Sequence, residues 1–270
     1  MDQSPKLQKA IAFSEKLLGI AIDTVGSANV QLSKLGARDP KIVSLALLCR
    51  TISNFKGAVT MAREGLVIEA RTLTRCCYEN LIWAAALNER GYEFVTDMLN
   101  DDAASRKTVG QITLKLTSRA GGDSEAGDAK LLRDLIRESD LRFPARKKLR
   151  VDETAVGSAV ELVYATFGHL SLEAAYPTVT ALGRHLLSEI EGDTRHLVVQ
   201  VVPEVPEGDL VRTIWWSCEA LLGVTVASNE IVGGIQMSES IRQAMDELHL
   251  ERPTVKASNQ SREGRDGDDK

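Results

Sequence analysis

Apolar residues return every third or fourth position along most of this chain, the spacing that gathers them on one face of a helix. The pattern is fullest between Arg63 and Arg90. At 100° per residue, Leu66, Val67, Ala70, Leu73, Cys77, Leu81, Ala84 and Ala85 share one face. Beside them runs a second line, Arg71, Arg75 and Glu79 at i, i+4 and i+8, with Ile68, Ile82 and Ala86 among them and Tyr78 at its edge. The third side carries Glu69, Cys76, Asn80 and Trp83. A helix with apolar residues on every side is one surrounded by other helices. Its charges are then at least partly buried, and buried charges must be paired.

The flanking segments repeat the helical period. A first helix is expected over 5–35, with Ile11, Leu17, Leu18, Ala21, Ile22 and Val25 inward and Gly36 and Asp39-Pro40 as its stop. A second covers 41–64, and Gly65 separates it from the central helix, which Gly91 closes. A more polar helix follows to about 118, then the glycine-rich loop 120–128 and a short charged helix over 129–140. Pro144 opens a short piece, and Asp152 is placed to cap a helix over 153–172. Pro177 fits the first turn of a helix to about 190. The β-branched run 195–202 is the one strand-like stretch, either half of a small hairpin or extended chain. A long helix over 208–235 and a short one over 238–248 complete the set. These patterns predict an all-α fold: one bundle of about eight helices in a single domain over 1–250, with its core in 40–235. The polar stretch 251–270, with Val255 its one large apolar residue, is expected to be disordered.

Composition narrows the partners. The net charge of −5 disfavours a globally basic nucleic-acid binder while leaving room for a local patch. Cys49, Cys76, Cys77 and Cys218 form no CxxC or Cys/His cluster, so neither a metal nor another cofactor is implied. Scattered cysteines in apolar surroundings read as reduced core residues of a cytoplasmic protein. No signal pattern opens the chain, and the best membrane-span candidate, 210–235, carries Arg212, Glu219 and Glu230, so it reads as a buried helix without a membrane partner.

Three constellations carry candidate chemistry. In the first, Arg71 and Arg75 offer guanidinium forks to a phosphate or carboxylate, with Glu79 as orienter or acid/base. The alternative is an ion pair within the helix or to a neighbour. Arg before Glu at i, i+4 is the poorer order for a simple helix pair, which points to partners elsewhere in the fold. The second is Tyr164 with His169, where His169 is a candidate general base and Tyr164 an acid or orienter. An ideal helix sets them about 140° apart, so they face one substrate only if the helix is distorted near Gly168. Otherwise each is hydrogen-bonded at the rim of the core. The third is basic: Arg142, Arg146, Lys147, Lys148 and Arg150 could contact an RNA backbone or be a solvated surface run.

The pairing of Arg75 and Glu79 with Tyr164, Gly168 and His169 about 85 residues later resembles a bacterial helical family known only as a domain of unknown function. Relatives often carry Ser ahead of that histidine, where this chain has Thr166 and Gly168. The resemblance covers roughly 40–235 and implies an all-helical fold with a shared polar site. A more distant resemblance is to the HEPN superfamily, which includes metal-independent ribonucleases of toxin and phage-defence systems. Its Arg-to-His spacing is met by Arg242 and His249, a match expected about once by chance in a chain of this composition, so that likeness rests on helicity.

Three readings follow. One is a binding or interaction protein whose charged line is structural or holds a small anion. Another is a HEPN-like ribonuclease, possible only if His169 and Arg75 lie within about 10 Å around an open cleft with the basic patch at its mouth. The last is a structural oligomerisation scaffold. A homodimer is the expected assembly for such a bundle.

Overall fold

In a computed structural model of the protein, the described residues are 4–31, 33–119, 127–144, 146–191, 194–234 and 237–251. Among them are ten helices, eight of seven residues or more, and one two-stranded hairpin, as the periodicity predicts. The helices are α1 (Pro5–Ser27), α2 (Pro40–Arg63), α3 (Val67–Arg90), α4 (Tyr92–Arg119), α5 (Gly127–Arg142), α6 (Val151–Ala155), α7 (Val163–Leu170), α8 (Val179–Gly183), α9 (Glu207–Val232) and α10 (Ser238–Glu251). A 3-10 turn spans Gly36–Arg38, and a π turn, Ser171–Ala175, prolongs α7.

Local chemistry sets several of these ends. Ser4 caps α1 by accepting from the Leu7 N–H, and Asp39 caps α2 by accepting from the Lys41 N–H at 2.9 Å, each with proline at the first helical position. Gly233 closes α9 in the left-handed region at φ 74°, which costs glycine least.

The central helix is enclosed as its pattern requires. α3 lies between α2 and α9, with α7 and the π turn across its remaining side. Arg71, Thr74, Tyr78 and Asn80 are buried along with its apolar face, so the polar positions need partners. Thr74 and Ser217 share a hydrogen bond of 2.7 Å, the Asn80 amide donates to Thr51 Oγ1 at 3.0 Å, and the Tyr78 hydroxyl donates to Glu219 at 2.8 Å. Each bond ties α3 to a different strip of α2 or α9. The Leu81 side chain packs onto Gly223 of α9, where a Cβ would lie 2.6 Å from Leu81 Cδ1.

Several sequence expectations change. The first helix ends at Ser27 rather than near 35. The helix expected over 153–172 is two short helices with turns between and a π turn after, and Asp152 pairs with Arg150 instead of capping. The expected helix 177–190 stops at Gly183, and Leu186–Glu191 forms β1, antiparallel to β2 (Thr194–Val199), from Leu186↔Val199 to Glu191↔Thr194. Leu186, Leu187 and Ile190 fit a helical face as well as a strand; pairing with the β-branched partner decides the outcome. α2 and α9 are both long and apolar enough, by length and composition, to cross a membrane, although 67% of the apolar window of α9 is buried inside the bundle. The segment 252–270, expected to be disordered, and most of the loop 120–128 lie outside the described residues.

Candidate functional site

Arg71 is the most buried of the charged residues singled out from the sequence, with its side chain 1% exposed. Its three partners come from two distant segments, the π turn and α9. NH1 donates to Glu173 Oε2 in the π turn, NH2 lies 3.1 Å from Asp209 Oδ1 in the first turn of α9, and Nε donates to Thr213 Oγ1 at 3.2 Å. The contact to Asp209 is a close ion pair without the alignment of a hydrogen bond. Arg184, just past α8, meets the same two carboxylates, Glu173 at 3.0 Å and Asp209 at 3.2 Å. The result is a closed ring, Arg71–Glu173–Arg184–Asp209, in which each charge touches two of opposite sign. Such a ring keeps two carboxylates and two guanidiniums tolerable at low exposure.

The ends of the ring respond differently. Burial pushes the Asp209 carboxyl up, but Arg71, Arg184 and Arg212 outweigh it and leave the group below the ordinary carboxylate range. For Arg71, loss of hydration exceeds what Asp209 and Glu173 restore, so its guanidinium sits below its usual value. The ring therefore favours the charged form of Asp209 and disfavours that of Arg71, its innermost cation.

Arg75 and His169 approach the same π turn from either side. Arg75 Nε donates to Ser171 Oγ at 2.9 Å, its NH1 to Glu79 at 2.9 Å, and its guanidinium covers the Phe167 ring at 4.4 Å. His169 Nε2 lies 3.4 Å from Glu173 Oε1, so the histidine joins the ring through its carboxylate. The helix is regular through Gly168 and His169, so the distortion that would bring Tyr164 and His169 together is not there; a π turn begins only at Ser171. Tyr164 does not join: it stacks on Phe167 and is exposed, on the other side of α7 from His169 as an undistorted helix requires.

The outer rim is aromatic and basic. Trp216 meets His169 edge to face at 5.6 Å, Arg71 at 5.6 Å and Arg212 at 5.9 Å. His169 is 46% exposed and Arg212 52%, and Arg212 lies 3.9 Å from Asp209. Glu173, Arg184, Asp209, Arg212, Thr213 and Trp216 were not singled out from the sequence. Glu173 carries a signal in hindsight, four residues after His169, and Asp209, Arg212 and Trp216 follow i, i+3, i+7 on α9.

The basic segment is elsewhere and largely matched. Arg146 pairs with Asp140, Lys147 with Glu153 at 3.0 Å and Arg150 with Asp152 at 2.7 Å, while Arg142 lies over Phe143. Lys147, Lys148 and Arg150 line a small cavity together with Arg90, at the far end of α3. The rise from Arg75 to Arg90 is about 22 Å, so this segment does not stand at the mouth of the polar site. Arg242 is paired with Glu239 and Asp246, and His249 lines an apolar groove between α3, α9 and α10. Among the described residues no three His, Cys, Asp or Glu side chains converge as a metal set.

Residues 41–192, more than half of the chain, match the model of a family described as "Family of unknown function (DUF5677)". No curated protein and no solved structure matches the chain.

Proposed function

The chain belongs to this family of unknown function, and on that premise we propose that it is a binding protein whose polar site takes a small anionic group, a carboxylate or phosphate, at the rim formed by His169, Trp216 and Arg212. The observation that carries this reading is the division of labour among the cations. Arg71 and Arg184 are committed to two carboxylates each, whereas Arg212 is half exposed with its acid contact at 3.9 Å. An anion approaching Trp216 meets donors from Arg212 and His169 without breaking the ring, which holds them in place. Guanidinium forks suit such groups. Arg71 and Arg75, first read as ligand contacts, act in this view as supports for the rim.

The test is titration of the full chain with inorganic phosphate at low salt, followed by NMR of the Trp216 indole N–H and the His169 ring. Saturable shifts confined to these groups, lost in Arg212→Ala and His169→Ala, are expected. Shifts that persist in the double variant overturn the reading.

A second reading, a metal-independent ribonuclease, loses the basic segment expected at its cleft and rests on the His169–Glu173 contact alone, in which a carboxylate orients an exposed imidazole as a general base requires. It predicts RNA cleavage by the purified chain, abolished by His169→Ala. Absence of cleavage above that variant's background removes it.

A further inference from the structure

α4 and α5 form a helical hairpin with little of the rest of the molecule around it. α5 packs on α4 and makes no comparable contact with another described element. The two helices close at Gly110, where a Cβ would lie 2.9 Å from Ile136 and 3.4 Å from Leu132. That contact uses one face of each helix. On the adjoining side Val109, Ile112 and Leu116 of α4 and Leu131 and Leu135 of α5 are each more than half exposed. Their spacings, i, i+3, i+7 and i, i+4, make a continuous apolar stripe on each helix. Val109 and Leu135 line one open groove of about 950 Å³, so the two stripes form a single surface.

From this surface we infer that a second copy of the chain packs hairpin to hairpin, joining α4 and α5 of both copies in an intermolecular four-helix bundle. Three properties select a second copy as occupant. Five such side chains on each of two copies supply on the order of 1,000 Å² of apolar area, the lower bound of a stable interface. Both lips of the groove carry both signs: Asp102 and Arg106 on α4, and Glu138 and Arg142 on α5, all exposed. When α4 of one copy lies over α5 of the other, Arg106 meets Glu138 and Asp102 meets Arg142, twice by symmetry. A lip of one sign would instead call for a partner or membrane surface of the other. The contact is also isologous, so it closes at two copies. This surface is separate from the polar rim, and the proposal stands whether or not an anion binds there.

Sedimentation equilibrium of the full chain tests it. A species of about 59 kDa, twice 29.4 kDa, is expected at tens of micromolar. Val109→Glu/Leu135→Glu alters only exposed positions and should weaken self-association by at least about 100-fold while leaving the helical circular dichroism unchanged. A wild-type chain that stays at 29.4 kDa at 100 μM overturns the inference, as does a double variant that still dimerises. Hydrogen exchange on the wild-type chain supplies a second readout, independent of how the variant folds. Amides of α4 and α5 should gain protection as concentration rises from 1 to 100 μM, and flat protection overturns the proposal. Flotation of the monomer with anionic lipid vesicles, lost in the double variant, would assign the surface to a membrane instead.

Discussion

Replacing Arg71 by methionine tests whether the buried ring is balanced by charge parity. Methionine keeps the apolar stem, so the change is chiefly one of charge. Two carboxylates are then left on one guanidinium, Arg184, and the Nε donor to Thr213 is gone. Breaking a fully buried pair costs about 3–5 kcal/mol. Glu173 and Asp209 keep 14% and 20% exposure and retain Arg184, so we expect about 2–4 kcal/mol here. For a chain of this size that lowers Tm by roughly 4–8 °C. Urea unfolding followed by far-UV circular dichroism reads the loss directly. The sharper test is the second substitution. Asp209→Asn should destabilise the wild-type chain, yet in the Arg71→Met background it restores parity and should recover at least about 1 kcal/mol. A neutral Arg71→Met, or an Asp209→Asn that costs the same in both backgrounds, refutes the reasoning.

Other expectations concern different parts of the molecule. Asp209 is held below its ordinary value, so its contribution to stability is full above the usual carboxylate range and is lost as pH falls through the lowered value; urea midpoints measured from pH 7 down to 3 should fall less steeply in Asp209→Asn. Burial pushes the Cys77 and Cys218 thiols well up and closes them from solvent, while Cys49 is exposed; a thiol reagent should therefore label Cys49 rapidly and reach Cys77 and Cys218 only after denaturation, as peptide mass spectrometry would record. Gly223→Val places bulk against Leu81 and should cost about 1–3 kcal/mol in thermal melts, with part regained in Gly223→Val/Leu81→Ala.

The helices were legible because their signal is local. Apolar spacing, Pro40 after Asp39, and the glycines at 91 and 233 mark α2, α3 and α9 within a few residues of where they lie. The burial of Arg71 was legible too, since a helix apolar on all sides leaves no solvated face. Its partners were not: Glu173, Arg184 and Asp209 come from segments whose own patterns give no hint that they meet. The same limit explains β1, where Leu186, Leu187 and Ile190 satisfy a helical period and only pairing with Val198 and Val199 makes a strand. Gly168 raised the question of a distorted helix, but α7 runs regularly through it and the π turn starts at Ser171, where no residue of the sequence marks it. The exposed stripe of α4 and α5 was hidden for a different reason. Val109, Ile112 and Leu116 resemble any core face until the neighbours that would cover them are seen to be elsewhere.

The ring has a consequence for timing as well as for stability. Arg71 and Glu173 are separated by 102 positions and Arg71 and Thr213 by 142. Pairing α2 with α3 closes only a short loop, whereas the ring needs the π turn, α8 and α9 all in place, so we expect it among the last contacts to form. Contacts made after the transition state leave the refolding rate alone and act on unfolding. Arg71→Met should therefore lift the unfolding arm of a urea chevron and leave the folding arm in place. On that account the four charges set how long a native molecule survives, and the helices around α3 set how soon it forms.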